Sequence, residues 1–272
     1  MENLLQFKKN AYSQNGEDGI IEEIFRRLGI SSGSCCEFGA WDGIHFSNTR
    51  NLILKGWIGV MIEGDKEKFQ ALVENYKSND KVHCFSDLVD YSKNTLGNIF
   101  DRNGLSGLKL SIDFLCIDID GFDYYIFKYL DIDPKVICVE VNAGHNPESE
   151  KELDEDIAQK NIGQPFTVFT KLANARGYEL VVYSGNAFYV KSDLVSRYNL
   201  PVLSPKEAYL NFLESLTFKE KRWLCFVNLG LVEPFYNYNN HFLTRRGLSI
   251  PFASYVIDLI KLGLRKLIRH QK

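Results

Sequence analysis

Glu37-Phe-Gly-Ala-Trp-Asp-Gly43, followed by Ser47-Asn-Thr49, is the stretch on which the reading of the fold turns. It sets small and acidic residues between a short apolar run, Ser34 to Phe38, and a polar helix start. A second apolar run, Trp57-Ile-Gly-Val-Met-Ile-Glu63, ends in a carboxylate about twenty positions after that loop. In an open α/β sheet, a carboxylate so placed accepts hydrogen bonds from both ribose hydroxyls of a bound nucleoside.

The dinucleotide fingerprint G-x-G-x-x-G sets a helix N-terminus against a pyrophosphate, but here Gly39 and Gly43 are separated by Ala40, Trp41 and Asp42. A carboxylate in that turn repels phosphate. Glu37 and Asp42 suit a cationic ligand, such as the ammonium and sulfonium of S-adenosylmethionine. The loop therefore reads as a methyl-donor site rather than an NAD site, although any strand-to-helix turn can use the same glycines for backbone freedom.

Around this loop, apolar runs alternate with helical spacing. Tyr12 to Gly19 is a polar loop feeding a helix with apolar residues at 20, 21, 24, 25 and 28. Then come strands Ser34 to Phe38, Ile58 to Ile62 and Val82 to Phe85, with helices from about Ser47 and over Lys66 to Lys77. Phe114 to Asp120 and Val136 to Val141 are too apolar to be half-exposed and read as central strands. A helix over Phe166 to Arg176 precedes a hairpin, Tyr178 to Tyr183 and Ala187 to Val190, that closes the sheet. The expectation is an α/β, Rossmann-like, seven-stranded sheet, mostly parallel with a C-terminal antiparallel hairpin, the arrangement of methyltransferases that use S-adenosylmethionine.

The alternation stops after Lys191, which divides the chain into a methyltransferase-like domain, 1–193, and a mainly helical extension, 194–272. Within the extension, Phe252 to Ile268 reads as an amphipathic basic helix, packed on the body or a second subunit, or touching a membrane surface peripherally. A homodimer is compatible with that stripe.

The chain has 272 residues, 45% of them hydrophobic, enough to bury a full core. A net charge of -3 supplies no basic field for nucleic acid. Six cysteines, at 35, 36, 84, 116, 138 and 225, show no C-x-x-C spacing and read as buried free thiols of a reducing cytoplasm. The start Met1 to Lys9 lacks a signal-peptide core, and no run approaches the roughly eighteen apolar residues of a membrane span.

Tyr12-Ser-Gln-x-Gly-Glu-Asp-Gly19, Glu37-Phe-Gly-Ala-x-Asp-Gly43, Ser47-Asn-Thr49, Gly56-Trp-x-Gly59, Ile62-Glu63, Ile117-Asp-Ile-Asp-Gly121 and Asn186-Ala-Phe-Tyr189 together resemble the FkbM-like S-adenosylmethionine-dependent methyltransferases, from Tyr12 to Val190. The resemblance implies O-methylation of a hydroxyl, often of a sugar. Many bacterial members lie in surface-polysaccharide pathways, so it also implies a nucleotide-linked or lipid-linked sugar of a capsule or lipopolysaccharide. It does not extend to the C-terminal third.

The Glu37 to Gly43 turn, with Gly39, Ala40 and Asp42, is assigned to the methionine part of the donor, Glu63 to the ribose, and Asp87 to the adenine amino group or, alternatively, to a helix N-cap. Gln14, Asp18 and Ser47 complete the pocket from flanking loops.

A second constellation joins Asp118, Asp120 and Asp123 to Glu140, Asn142 and His145 at the end of the next central strand. Alternation puts Asp118 and Asp120 on one side, and adjacent strands lie about 4.8 Å apart, within reach of Glu140 or Asn142. Converging carboxylates repel unless a cation sits between them, and Mg²⁺ or Mn²⁺ held by Asp118, Glu140 and Asn142 could fix two sugar hydroxyls. Asp120 or His145 would then take the proton. In a metal-free version, Asp118 contacts the donor ammonium or the substrate. In a purely structural one, Asp118 supports a helix starting at Asp120-Gly121.

Three rivals remain from other classes. Asp118-Ile-Asp120 has the D-x-D form of a manganese-dependent glycosyltransferase, which the Glu37 to Gly43 loop opposes. An NAD-dependent sugar oxidoreductase has the wrong glycine spacing. A non-catalytic scaffold could keep the cofactor motifs without transferring a methyl group.

Overall fold

The computed structural model describes residues 2–119, 121–141, 147–155 and 163–217. Seven strands form one sheet: β1 (Ser34–Phe38), β2 (Ile58–Ile62), β3 (Val82–Phe85), β4 (Phe114–Ile117), β5 (Val136–Glu140), β6 (Tyr178–Tyr183) and β7 (Asn186–Lys191). Their order is β3-β2-β1-β4-β5-β7-β6, parallel from β3 through β5, with β7 antiparallel to both β5 and β6. This is the mostly parallel, Rossmann-like sheet with a terminal antiparallel hairpin that the alternation of apolar runs anticipates. β1 and β4 are buried throughout, as continuous apolar strands with helices on both faces must be, whereas β3 is a half-buried edge.

The helices are α1 (Glu17–Arg27), α2 (Arg50–Leu54), α3 (Lys66–Tyr76), α4 (Leu96–Arg102), α5 (Asp123–Lys128), α6 (Phe166–Ala175), α7 (Ser192–Tyr198) and α8 (Pro205–Ser215). α1 carries Glu17 and Asp18 in its first turn and Arg26 and Arg27 in its last, the distribution that complements its dipole. Its Ile20, Ile21, Ile24 and Phe25 are buried, and Phe25 meets Trp57 edge-on at 4.7 Å and Phe114 at 6.1 Å. A second aromatic group stacks Phe127, Phe169 and Tyr189, with Phe127 and Phe169 5.2 Å apart. Both groups hold helices against the strands whose carboxyl ends carry the site.

The structure departs from the sequence reading in three places, each for a local reason. β4 stops at Ile117 rather than running to Asp120. The Asp123 carboxylate accepts the N–H groups of Ile119 at 3.0 Å and Gly121 at 2.9 Å, which turns the chain out of the strand, so strand alternation does not govern Asp118. The helix expected from about Ser47 begins at Arg50, because Ser47, Asn48 and Thr49 are all bound to Glu37. Between β3 and β4 stand α4 and a 3₁₀ turn, Ser106–Leu110, where the apolar pattern indicates no element; Thr95 caps α4 by accepting the Asn98 N–H at 3.3 Å.

Of the extension, only its beginning is described. α7 lies against β7, and α8 lies against β6, where Tyr183 meets Phe212 at 5.1 Å and the Leu203 N–H donates to the Leu180 carbonyl at 2.9 Å. The amphipathic stretch Phe252 to Ile268 and Cys225 lie outside the described residues. Cys35, Cys36, Cys84, Cys116 and Cys138 are free, all but Cys84 fully buried. No helix among the described residues is long and apolar enough to cross a membrane.

Candidate cofactor site at the carboxyl ends of the strands

The strand order reverses between β1 and β4, so the chain leaves their carboxyl ends in opposite directions and opens the crevice in which α/β sheets bind ligands. One lip is the loop after β1, the other the loop after β4. Gly39 holds them together: its φ is +72°, and a β-carbon there would stand 2.5 Å from the Asp118 carbonyl oxygen. The neighbouring Ala40 N–H donates to the Ile62 carbonyl at 3.1 Å, which carries the β1–β2 pairing into the loop.

Glu63 leaves β2 beside this loop and is buried. Its Oε2 accepts the Trp41 N–H at 2.7 Å and its Oε1 accepts the Asp65 N–H at 2.8 Å. A carboxylate has about four acceptor sites, so each oxygen keeps a lone pair with which a ribose diol could be bound without opening the loop. Trp41 has a left-handed φ of +51°, and the Lys68 ammonium lies 5.3 Å from its ring centroid. Asp42 closes the turn: Oδ1 accepts the N–H groups of Ile44 and His45, each at 2.9 Å, and Oδ2 meets His45 Nδ1 at 2.5 Å. Partial burial alone would raise its pKa; the His45 and Ile44 contacts prevail and hold it below the ordinary value.

Glu37 lies beneath the loop. Its Oε2 accepts from Ser47 Oγ at 2.6 Å and Thr49 Oγ1 at 2.7 Å, and its Oε1 accepts the Asn48 N–H at 2.9 Å. All three bonds go to its own loop, while burial pushes the carboxyl pKa up against them. Ser47 is thus placed by Glu37.

Asp18 plays a similar part before α1. Its Oδ2 accepts the N–H groups of Ala11, Tyr12 and Ser13 and the Ser13 hydroxyl, while its buried Oδ1 has no hydrogen-bond partner among the described residues. Gln14 is half-buried on the same loop, its carbonyl accepting from Asn10 Nδ2 at 2.8 Å. Asp87, past β3, ion-pairs with Arg102 at 2.6 Å and accepts from Asn94 Nδ2 at 3.2 Å; the N-cap of the following helix is Thr95 instead.

On the other lip, Asp118 is exposed just past β4, and Glu140 ends β5 opposite Asn186 of β7. Asp120, Asn142 and His145 lie outside the described residues. Among the described residues, no three His, Cys, Asp or Glu side chains are grouped to hold a metal ion. Tyr124 and Tyr125 are buried and meet edge to face at 5.4 Å, with the Tyr125 hydroxyl accepting from Gln164 Nε2 at 3.2 Å.

Sequence reasoning passed over Glu17. It is fully buried at the start of α1, accepts the Asn15 N–H at 2.6 Å and the Ser184 hydroxyl at 3.3 Å, and burial raises its pKa. The only signal in the chain is an acidic residue inside an otherwise apolar helix face.

No family model and no curated protein matches this sequence. Among solved structures, the chain is similar to a TehB-like SAM-dependent methyltransferase from Corynebacterium glutamicum, at 12% identity and a TM-score of 0.40 over 67% of this chain and 89% of that one. It is also similar to the N-terminal domain of EvdMO1 with SAH bound, at 11% identity and 0.42 over 64% and 78%. A third is TrmK of M. capricolum in complex with S-adenosyl-homocysteine, at 12% and 0.37 over 62% and 67%. At such values they transfer no ligand, substrate or residue role to this chain. The strand order itself, with β7 antiparallel between β5 and β6, is the methyltransferase form of the Rossmann-like sheet.

Proposed function

We propose that this chain is an S-adenosylmethionine-dependent O-methyltransferase acting in the cytoplasm on a sugar hydroxyl, carried by a nucleotide-linked sugar or glycan intermediate of bacterial surface-polysaccharide synthesis. The observation that carries the donor half is the meeting of Gly39, Trp41 and Glu63 at the β1/β4 reversal, where Glu63 keeps acceptor capacity for a ribose. The sugar half is supported by the likeness of the seven sequence motifs to FkbM-like methyltransferases.

Bound S-adenosylmethionine supplies a methyl group on a sulfonium, open to in-line attack by a hydroxyl oxygen. Glu63 accepts the ribose hydroxyls and, through the Trp41 N–H, ties donor binding to the shape of the loop. Glu37 acts from below, holding Ser47 to Thr49 in place. Asp42 and Asp118 add negative charge suited to the ammonium and sulfonium. Asp120 or His145, which follow β4 and β5 in the sequence, is the base assigned to take the acceptor proton. The Mg²⁺ or Mn²⁺ alternative at Asp118, Glu140 and Asn142 draws on a residue outside the described ones; among the described residues no three His, Cys, Asp or Glu side chains are grouped to hold a metal ion.

Calorimetric titration of S-adenosylhomocysteine, followed by transfer of labelled methyl to a panel of nucleotide sugars, tests the reading. Micromolar binding and a methylated sugar are expected, with turnover lost in Asp120→Asn or His145→Ala. Absence of S-adenosylhomocysteine binding, with a nucleotide sugar binding in the presence of manganese, would overturn it in favour of a glycosyltransferase.

A further inference from the structure

Every described arginine but one has a carboxylate or backbone carbonyl as partner. The exception is Arg50, the first residue of α2, directly after the Ser47-Asn-Thr49 loop. Its guanidinium carbon lies 4.8 Å from the Tyr76 ring centroid and 5.9 Å from that of Tyr12. Its Nε is buried and has no hydrogen-bond partner among the described residues. Its polar partner is the Tyr76 hydroxyl, which accepts from the guanidinium and donates to the Gly43 carbonyl at 2.7 Å.

A guanidinium carries five N–H donors in a planar fork matched to carboxylate and phosphate oxygens, and leaving a buried donor unmet is costly. Two rings lie against this fork, which limits the side-chain freedom left to be lost on binding. Through Tyr76 the cation is one side chain removed from Gly43, at the end of the glycine loop. No ion pair among the described residues joins it to the loop's carboxylates: Glu37 is bound to Ser47, Asn48 and Thr49, and Asp42 to Ile44 and His45.

We infer that Arg50, framed by Tyr12 and Tyr76, is a preformed subsite for an anionic oxygen group of a bound small molecule. The inference rests on the methyltransferase reading for its two sources of that group: the amino-acid carboxylate of the methyl donor, or the diphosphate of a nucleotide-linked acceptor. Arg50 and Tyr12 are both half-exposed residues.

Calorimetry with S-adenosylhomocysteine, 5′-methylthioadenosine and UDP, on wild type, Arg50→Gln and Arg50→Lys, separates the cases. Methylthioadenosine keeps the nucleoside and lacks the carboxylate. Arg50→Gln is expected to weaken either S-adenosylhomocysteine or UDP by roughly tenfold or more while methylthioadenosine binds as in wild type. Loss confined to S-adenosylhomocysteine assigns the carboxylate, and loss confined to UDP the diphosphate. Unchanged affinity for both overturns the subsite. If Arg50→Gln also loses methylthioadenosine and melts early, Arg50→Lys carries the same comparison and is judged by the same losses. Wild type binding neither adenosine ligand would remove the donor reading, and the subsite would then stand or fall on UDP alone.

Discussion

A β-carbon on Gly39 would stand 2.5 Å from the carbonyl oxygen of Asp118, so the two lips of the crevice touch backbone to backbone at the β1/β4 reversal. Gly39→Ala must therefore either part the lips or shift the loop, in addition to the cost of a left-handed φ. A loss of about 1–3 kcal/mol in urea unfolding is expected, with a large fall in S-adenosylhomocysteine affinity. Gly177→Ala is the control, since its φ is +82° with nothing within 4 Å of the added carbon: it should lose stability only. Equal binding by the Gly39 and Gly177 variants would show that the contact does not shape the site.

Glu63 serves the loop and, if the chain binds a methyl donor, its ribose. Glu63→Gln keeps the shape but removes the charge and half the acceptor capacity. S-adenosylhomocysteine and methylthioadenosine share the ribose, so both should weaken by roughly tenfold or more, in parallel. Parallel titrations check this, and a loss restricted to S-adenosylhomocysteine would place Glu63 at the amino-acid end instead.

Thr49 donates to a buried carboxylate oxygen of Glu37 at 2.7 Å. Thr49→Val leaves the volume nearly unchanged and removes that donor, at an expected cost of about 1–3 kcal/mol. In a Glu37→Gln background the cost should shrink, because no charge is then left uncompensated. A double-mutant cycle by denaturant unfolding measures the coupling; additive costs would mean that the two side chains do not act together.

Burial raises the Glu17 carboxyl above its ordinary value of 4.5, so the folded chain holds a proton there that the unfolded chain releases. Stability contributed by that proton is present at low pH and is lost as pH rises through the folded pKa. Glu17→Gln should therefore melt higher than wild type near neutrality, with the difference closing as pH falls toward about 4.5. Glu23 acts oppositely, since Arg26 and then Arg27 hold it down at about 2, but it is common to both proteins and cancels in the comparison. Melting temperatures of the two across pH that stay parallel would contradict the assignment.

The strands were legible because burial on both faces leaves a compositional mark. β1, β2, β3 and β6 begin and end where their apolar runs do. The nearness of Glu63 to the glycine loop was legible too, since both belong to one short span. The Asp87 side chain's partner was not: Thr95 rather than Asp87 caps the next helix, and Asp87 ion-pairs instead with Arg102 at the end of α4. Asp118 was misplaced in the ladder because the residue that ends β4 is Asp123, which captures two N–H groups from beyond the strand.

The sequence by itself determined the layered α/β sheet and the place along it where the glycine loop stands, because hydrophobic period and small-residue turns are local properties of the chain. Only the tertiary structure decided which carboxylates hold loops, as Glu37, Asp18 and Asp123 do, and which keep acceptor capacity at the crevice, as Glu63 does. It also decided that Arg50 lies between two tyrosines, with no ion pair to an acid among the described residues. A side chain's partners come from segments distant in sequence, and their meeting depends on how the helices seat against the sheet.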